Sequence, residues 1–302
     1  GLAAFLRFAV SGGNRVRQGC AAVVAVALMA GGASQLWRYV TQPRSAFMPV
    51  PVENTPEYQA AKWLAAQQPQ GRVLASGGLR FRLNSWFDLQ QVGGAFESGL
   101  RNRTPVHFAY HVRTDPEVVG SVREMKALGV EYVVVHGQKS AEHYRDYKNP
   151  GKFEGVLEKV YDNGNDVIYR LPFRSLAHAI RAEEEPARAH RDALVGYVLA
   201  IEEASRPTLT ARWLDANRLR VENAPPAGML VSLQVTFDEG WRAWSGGREV
   251  AVEKDSLGFI KLRGVAGPVD LQYRGTLEQK CCAVLSALSW IGALGLLWKN
   301  RG

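Results

Sequence analysis

His107 and His111 stand four apart, the spacing that sets two imidazoles on one helical face for a metal ion. Val106, Phe108, Tyr110 and Val112 alternate with them in strand fashion, however. At strand spacing the two histidines lie about 13 Å apart, too far for one ion. His136 and His143 near Glu142 form a second ligand set only if folding gathers them. Gly93-Gly94-Ala95-Phe96-Glu97-Ser98-Gly99 is glycine-rich but lacks the Lys-Ser/Thr ending that cradles phosphate, and reads as a turn. No P-loop, dinucleotide fingerprint, HExxH, CxxC pair or GxSxG elbow is present. The residues therefore predict no catalytic group, no metal ligand and no cofactor. Binding chemistry is what remains. Asn84, Asp88, Glu97, Arg101 and Asn102 share one polar stretch able to position sugar hydroxyls. Trp241 and Trp244 flank Arg242-Ala243 and are spaced to stack on a sugar. The plainer alternatives are surface and cap roles for the first set and core packing for the two indoles.

The elements that must hold these residues follow from the pattern. Glu57–Gln67 reads as a helix with Tyr58, Ala61, Leu64 and Ala65 on one face, followed by a short strand at Arg72–Ser76. Leu79–Val112 has no clean period. Pro116–Leu128 reads as a helix capped by Asp115, closed by Gly129, and Val130–Val135 as a buried strand. Ala141–Tyr147 reads as another helix. Asp162-Asn163-Gly164-Asn165 between Leu157–Tyr161 and Val167–Leu171 is a hairpin signal. Ala189–Glu203 reads as helical. From Thr208 short strands recur at sandwich spacing: Leu209–Leu214, Arg218–Glu222, Met229–Phe237, and three more ending at Tyr273. The expected class is α+β: an α/β module followed by an antiparallel β-sandwich, bounded by two transmembrane helices. The expected boundaries are a helix stump and cytoplasmic loop (1–14), a membrane helix (15–40) and a Pro-rich linker (41–56). The α/β module (57–172), a helical bridge (173–207), the sandwich (208–278) and a second membrane helix with a short tail (279–302) follow.

The membrane reading comes from two apolar runs. Gly19–Trp37 and Cys281–Trp298 hold nineteen and eighteen residues without a charge. As helices they span roughly 27–29 Å, near the ~30 Å hydrocarbon thickness. The net charge of +8 sits beside them: residues 1–40 and 281–302 contain no acid, whereas 41–280 carry 31 basic and 29 acidic residues. That distribution excludes a basic nucleic-acid groove and predicts a lipid bilayer as partner. Both ends are expected on the cytoplasmic side of a bacterial inner membrane, with the middle extracytoplasmic. A cleaved signal peptide is the competing reading of the first run. Leu2-Ala3-Ala4-Phe5-Leu6 before Arg7 reads instead as the end of a preceding helix of a longer polytopic protein, whose other helices would pack beside these. All three cysteines, Cys20, Cys281 and Cys282, lie in or beside the runs, so the middle has no disulfide.

Leu128–Val135 with Tyr169-Arg170-Leu171-Pro172, and Phe237-Asp238-Glu239-Gly240-Trp241-Arg242-Ala243-Trp244 with Gly258-Phe259-Ile260 and Leu271-Gln272-Tyr273, resemble the extracytoplasmic part of YfhO-like bacterial membrane proteins. The resemblance spans roughly residues 50–298, and the glycine-tryptophan turn is its most specific part. It implies a GT-C-type glycosyltransferase using a polyprenyl-phosphate sugar, with its catalytic acid in an early extracytoplasmic loop. Residues 1–40 hold no Asp or Glu to match that acid. The resemblance thus implies a distal domain that binds or orients a glycan acceptor beside the membrane site. A membrane-anchored structural or interaction module of the cell envelope without enzymatic role is the alternative, and a self-contained hydrolase a weaker third.

Overall fold

The protein is described by a computed structural model covering residues 15–46, 51–94, 100–137, 139–140, 142 and 145–299. It divides into two compact units after Asn54. The first holds one long helix, α1 (Arg15–Ala46). Its apolar side chains are exposed, Val23 at 70% and Trp37 at 72%.

The second unit begins with a helix built by its own sequence signals. Thr55 Oγ1 accepts from Tyr58 N at 3.3 Å and Pro56 opens the first turn, giving α2 (Pro56–Gln67). β1 (Arg72–Leu74), α3 (Leu79–Trp86), α4 (Thr104–Thr114), α5 (Val118–Ala127) and β2 (Val130–His136) follow. The hairpin of β3 (Glu158–Asp162) and β4 (Asp166–Arg170) completes a sheet ordered β1-β2-β4-β3. β1 and β2 run parallel and the other neighbours antiparallel. All seven residues of β2 are buried, because both faces of the sheet are covered. Ala61 and Leu64 of α2 and Leu79 and Leu83 of α3 pack on Val73, Tyr132, Val134 and Ile168. Phe108, Val112 and Met125 of α4 and α5 pack on Val133, Val135 and Tyr169 opposite.

The remainder is a two-sheet sandwich. β5 (Ala177–Ile180), β8 (Leu230–Thr236), β11 (Val252–Lys254) and β12 (Phe259–Leu262) form a sheet ordered β11-β12-β8-β5. β6 (Ala211–Asp215), β7 (Arg218–Val221), β9 (Trp241–Ser245), β10 (Arg248–Val250) and β13 (Val269–Tyr273) form the other, ordered β10-β9-β13-β7-β6. Leu219, Val221, Val231, Leu233, Ile260, Leu262 and Leu271 fill the space between. Helix α6 (Val195–Glu202) covers the outer face of the four-stranded sheet, where Tyr197 Oη and Ser232 Oγ are 3.0 Å apart. Its Tyr197 and Ile201 share one core with Met125, Leu128 and Phe259, so the two modules are fused through apolar contact. Gln234, fully buried on β8, completes the seam. Its Nε2 donates to the carbonyls of Lys126 (2.9 Å) and Ala127 (3.0 Å), satisfying the open end of α5. Helix α7 (Leu277–Lys299) closes the chain.

The class is therefore mixed α and β, as expected, with several local corrections. Residues 79–112 contain two helices rather than irregular chain. α5 begins two residues late because Glu117, not Asp115, caps it, accepting from Val119 N (2.8 Å) and Gly120 N (2.6 Å). The expected bridge supplies β5 to the sandwich, and its helix is shorter, with a 3-10 turn at Arg191–Leu194 leading into α6. The helix expected at Ala141–Tyr147 falls partly outside the described residues, and Arg145–Tyr147 are irregular.

Two buried groups give this body an opposed acid response. Burial lowers the His178 imidazole from 6.5 to about 4, with Gln234 pulling weakly the other way. Burial raises the Asp255 carboxyl from 3.8 to about 6, against the amides of Phe259 and Leu257. Between pH 4 and 6.5 the unfolded chain takes the extra proton at His178, so that group costs stability as pH falls. Between pH 3.8 and 6 the folded chain holds the proton at Asp255, so that group adds stability as pH falls. His178→Leu should therefore gain about 3 kcal/mol relative to wild type on going from neutral pH to the acid end of this window, and Asp255→Asn should show the opposite sign. Urea unfolding at the two pH values measures both, and a pH-independent difference for His178→Leu would refute the assignment.

Candidate functional site

A concavity lies where the chain segment leading into α4 meets the sandwich. Arg101, Asn102, Arg103 and His107 form one wall of a cleft of about 400 Å³; Asp238, Lys254 and Gly258 belong to the other. A smaller cavity of about 230 Å³, lined by Arg72, Leu100 and Phe259 among others, adjoins it.

Asn102 is the clasp between the walls. Its Nδ2 donates to the carbonyls of Leu257 (2.9 Å) and Gly258 (3.1 Å), and its Oδ1 accepts from Thr104 N (3.0 Å). Gly258 has φ +79°, and a Cβ there would fall 2.7 Å from the Asn102 amide, so the clasp requires glycine on the opposing turn. Arg101 reaches Asp238 with a 2.9 Å ion pair. Asp238 in turn shapes the β8–β9 connection: its Oδ1 accepts from Gly240 N (2.8 Å) and its carbonyl from Trp241 N (3.1 Å). Lys254 is exposed on β11 and forms no ion pair among the described residues. The first turn of α4 at the same wall has no acidic side chain, and Asn102 Oδ1 already takes its first amide, that of Thr104. Arg101, Arg103 and Lys254 face Asp238 and Glu239 here. The arrangement suits an anionic or hydroxyl-bearing ligand.

The residues predicted from sequence separate into four groups. Arg101 and Asn102 line the cleft. Asn84, in the last turn of α3, ties down the chain that follows, donating to Leu89 O and accepting from Gln91 Nε2, both at 2.6 Å. Asp88 is exposed at the α3 end of the same segment, and Glu97 lies outside the described residues. Trp241 is buried in the sandwich core beside Trp213 and Tyr273, which leaves no face for a sugar, and Trp244 carries the Arg274 guanidinium 4.8 Å above its ring. Asp238, Lys254 and Gly258 were not singled out as site residues by sequence reasoning, since they meet Arg101 and Asn102 only after more than 130 residues of chain.

The histidines behave differently from their strand reading. His107 and His111 occupy helix α4, four apart on one side. His111 Nδ1 lies 3.0 Å from the fully buried Glu124, which also receives Arg191. Among the described residues no group of three or more His, Cys, Asp or Glu is arranged to hold a metal ion. His136 Nδ1 lies 2.5 Å from Asp166 Oδ1, with both side chains 2% exposed. Burial pulls its pKa down, but the hydrogen bond and charge of Asp166 outweigh this and raise it. The pair braces β2 against β4 rather than offering an acid–base couple to solvent. His143 lies outside the described residues. No protein-family model matches this chain, and no curated protein sequence matches it.

Proposed function

We propose that the chain is a membrane-anchored extracytoplasmic domain of a bacterial inner-membrane protein. In this reading it resembles the distal part of YfhO-like, GT-C-type transferases that use a polyprenyl-phosphate sugar. It binds or supports an acceptor, such as an envelope glycan, and leaves catalysis to other transmembrane helices of the same protein. The two flanking helices carry the reading. In α1 the stretch Ala22–Thr41 is long and apolar enough to cross a bilayer and is unburied. In α7, Val284, Leu285, Leu288, Trp290 and Ile291 are all between 59% and 69% exposed. Exposed apolar side chains along the described parts of both helices suit a lipid surrounding. The junction cleft supports a binding role. The near balance of charge in residues 41–280 speaks against nucleic acid.

Vesicle flotation of the full chain tests the anchor. The chain is expected to rise with phosphatidylcholine vesicles and to stay with them through an alkaline wash. A chain that remains at the bottom of the gradient, monomeric without detergent, would disprove it.

A further inference from the structure

We infer that the junction cleft receives the anionic, phosphate-bearing headgroup of a lipid in the leaflet that α7 enters. This rests on the reading of α7 as a membrane span and adds what the cleft binds. The argument is the joint between that helix and the cleft wall. β13 ends at Tyr273 and α7 begins at Leu277, so only three residues separate sheet from helix. Thr276 and Gln279 cap the helix reciprocally: Gln279 N donates to Thr276 Oγ1 (3.2 Å) and Thr276 N to Gln279 Oε1 (3.0 Å). Tyr273 Oη donates to the same Gln279 oxygen at 3.2 Å.

The Asp238–Gly240 turn is fastened to this joint. Arg274 N donates to Gly240 O at 2.8 Å. A Cβ on Gly240 would stand 3.0 Å from the backbone of Gly275 and 2.6 Å from the Tyr273 ring. On its other side the same turn holds Arg101 through Asp238. A short, hydrogen-bonded path therefore leads from the cleft to the head of α7, about 20 Å at full stretch. The charge-free run begins at Cys281, four residues or about 6 Å into the helix, so Leu277 lies at headgroup depth. The cleft is thus held near the leaflet surface. Its cationic excess, with Lys254 unpaired among the described residues, fits phosphate, and at the head of α7 Arg274 and Lys280 outnumber Glu278.

Hydrogen–deuterium exchange tests the assignment on the full chain in phosphatidylcholine nanodiscs. Added dihexanoyl-phosphatidylglycerol is expected to slow exchange at 101–107 and 254–258, and dihexanoyl-phosphatidylcholine to leave it unchanged. Lys254→Glu and Arg103→Gln, each checked for an unaltered melting curve, are expected to weaken that protection about tenfold. Failure to enter nanodiscs at all overturns the anchored reading itself. Entry without protection, or protection indifferent to both substitutions, overturns the headgroup site alone. Equal protection by glycerol 3-phosphate at the same concentration also overturns it, leaving a site for free phosphates.

Discussion

Replacing Arg191 by alanine is expected to destabilise the protein by about 3 kcal/mol, the cost of leaving a buried carboxylate with His111 as its remaining partner. Glu124 on α5 is fully buried. Arg191 approaches it twice, Nη2 to Oε2 at 3.0 Å and Nε to Oε1 at 3.3 Å, and holds Asp115 with Nη1 at 2.6 Å. Side-chain hydrogen bonds to Glu124 raise the guanidinium pKa, so the charge is firmly kept. Lys152 does not substitute for it. Its Nζ is committed to Val112 O, Asp115 O and Ser121 Oγ, and burial lowers it to about 8. Arg191 also precedes α6, so its loss loosens the strap that joins the bridge to α4 and α5. Urea unfolding gives the number, and a loss below about 1 kcal/mol would mean that Glu124 does not depend on this partner. Arg191→Lys, which keeps the charge and loses the fork, should fall between.

The second large effect is expected at Gly77, where alanine should cost about 3 kcal/mol from two sources. The residue has φ +60°, and a Cβ there would fall 2.1 Å from His136 Nε2 and 2.8 Å from Glu142 Cγ. His136 cannot swing aside, because its other nitrogen is fixed to Asp166 in the interior. Gly78 is the control. It is helical in backbone, with φ −63°, and a Cβ would meet chiefly the Glu142 carboxylate, whose flexible end can yield. Thermal melts of the two variants should differ clearly, and a Gly77→Ala protein as stable as Gly78→Ala would contradict the packing described.

What could be read from sequence was local. The Asp162–Asn165 turn, the apolar face of the helix after Pro56 and the almost wholly apolar run Val130–Val135 each carry their signal within a few residues. Helix α4 did not, because its alternation is accidental: Phe108 and Val112, one turn apart, are buried, whereas Tyr110 is 56% exposed. Helix α3 escaped for a similar reason, since only Leu79 and Leu83 face inward from an eight-residue stretch that follows two glycines. The cleft was half legible. Arg101 and Asn102 belong to a polar stretch that sequence marks as a binding surface, but their partners come from the β8–β9 and β11–β12 turns. Trp241 illustrates the converse: an indole beside a glycine turn looks like a ligand platform until the opposing Trp213 and Tyr273 are known.

Strand β5 has a practical bearing on dissecting the chain. Ala177–Ile180 hydrogen-bonds along Leu230–Leu233, so a sandwich excised at Thr208 would leave β8 with a bare border of amides and carbonyls. Borders of that kind recruit strands from neighbouring molecules and drive clumping. Starting the excision before Ser175 restores the border but strips α6 of the seam it shares with Met125 and Leu128. The smallest piece that keeps both surfaces covered runs from Thr55 into the first turn of α7, and truncation studies should treat that stretch as indivisible.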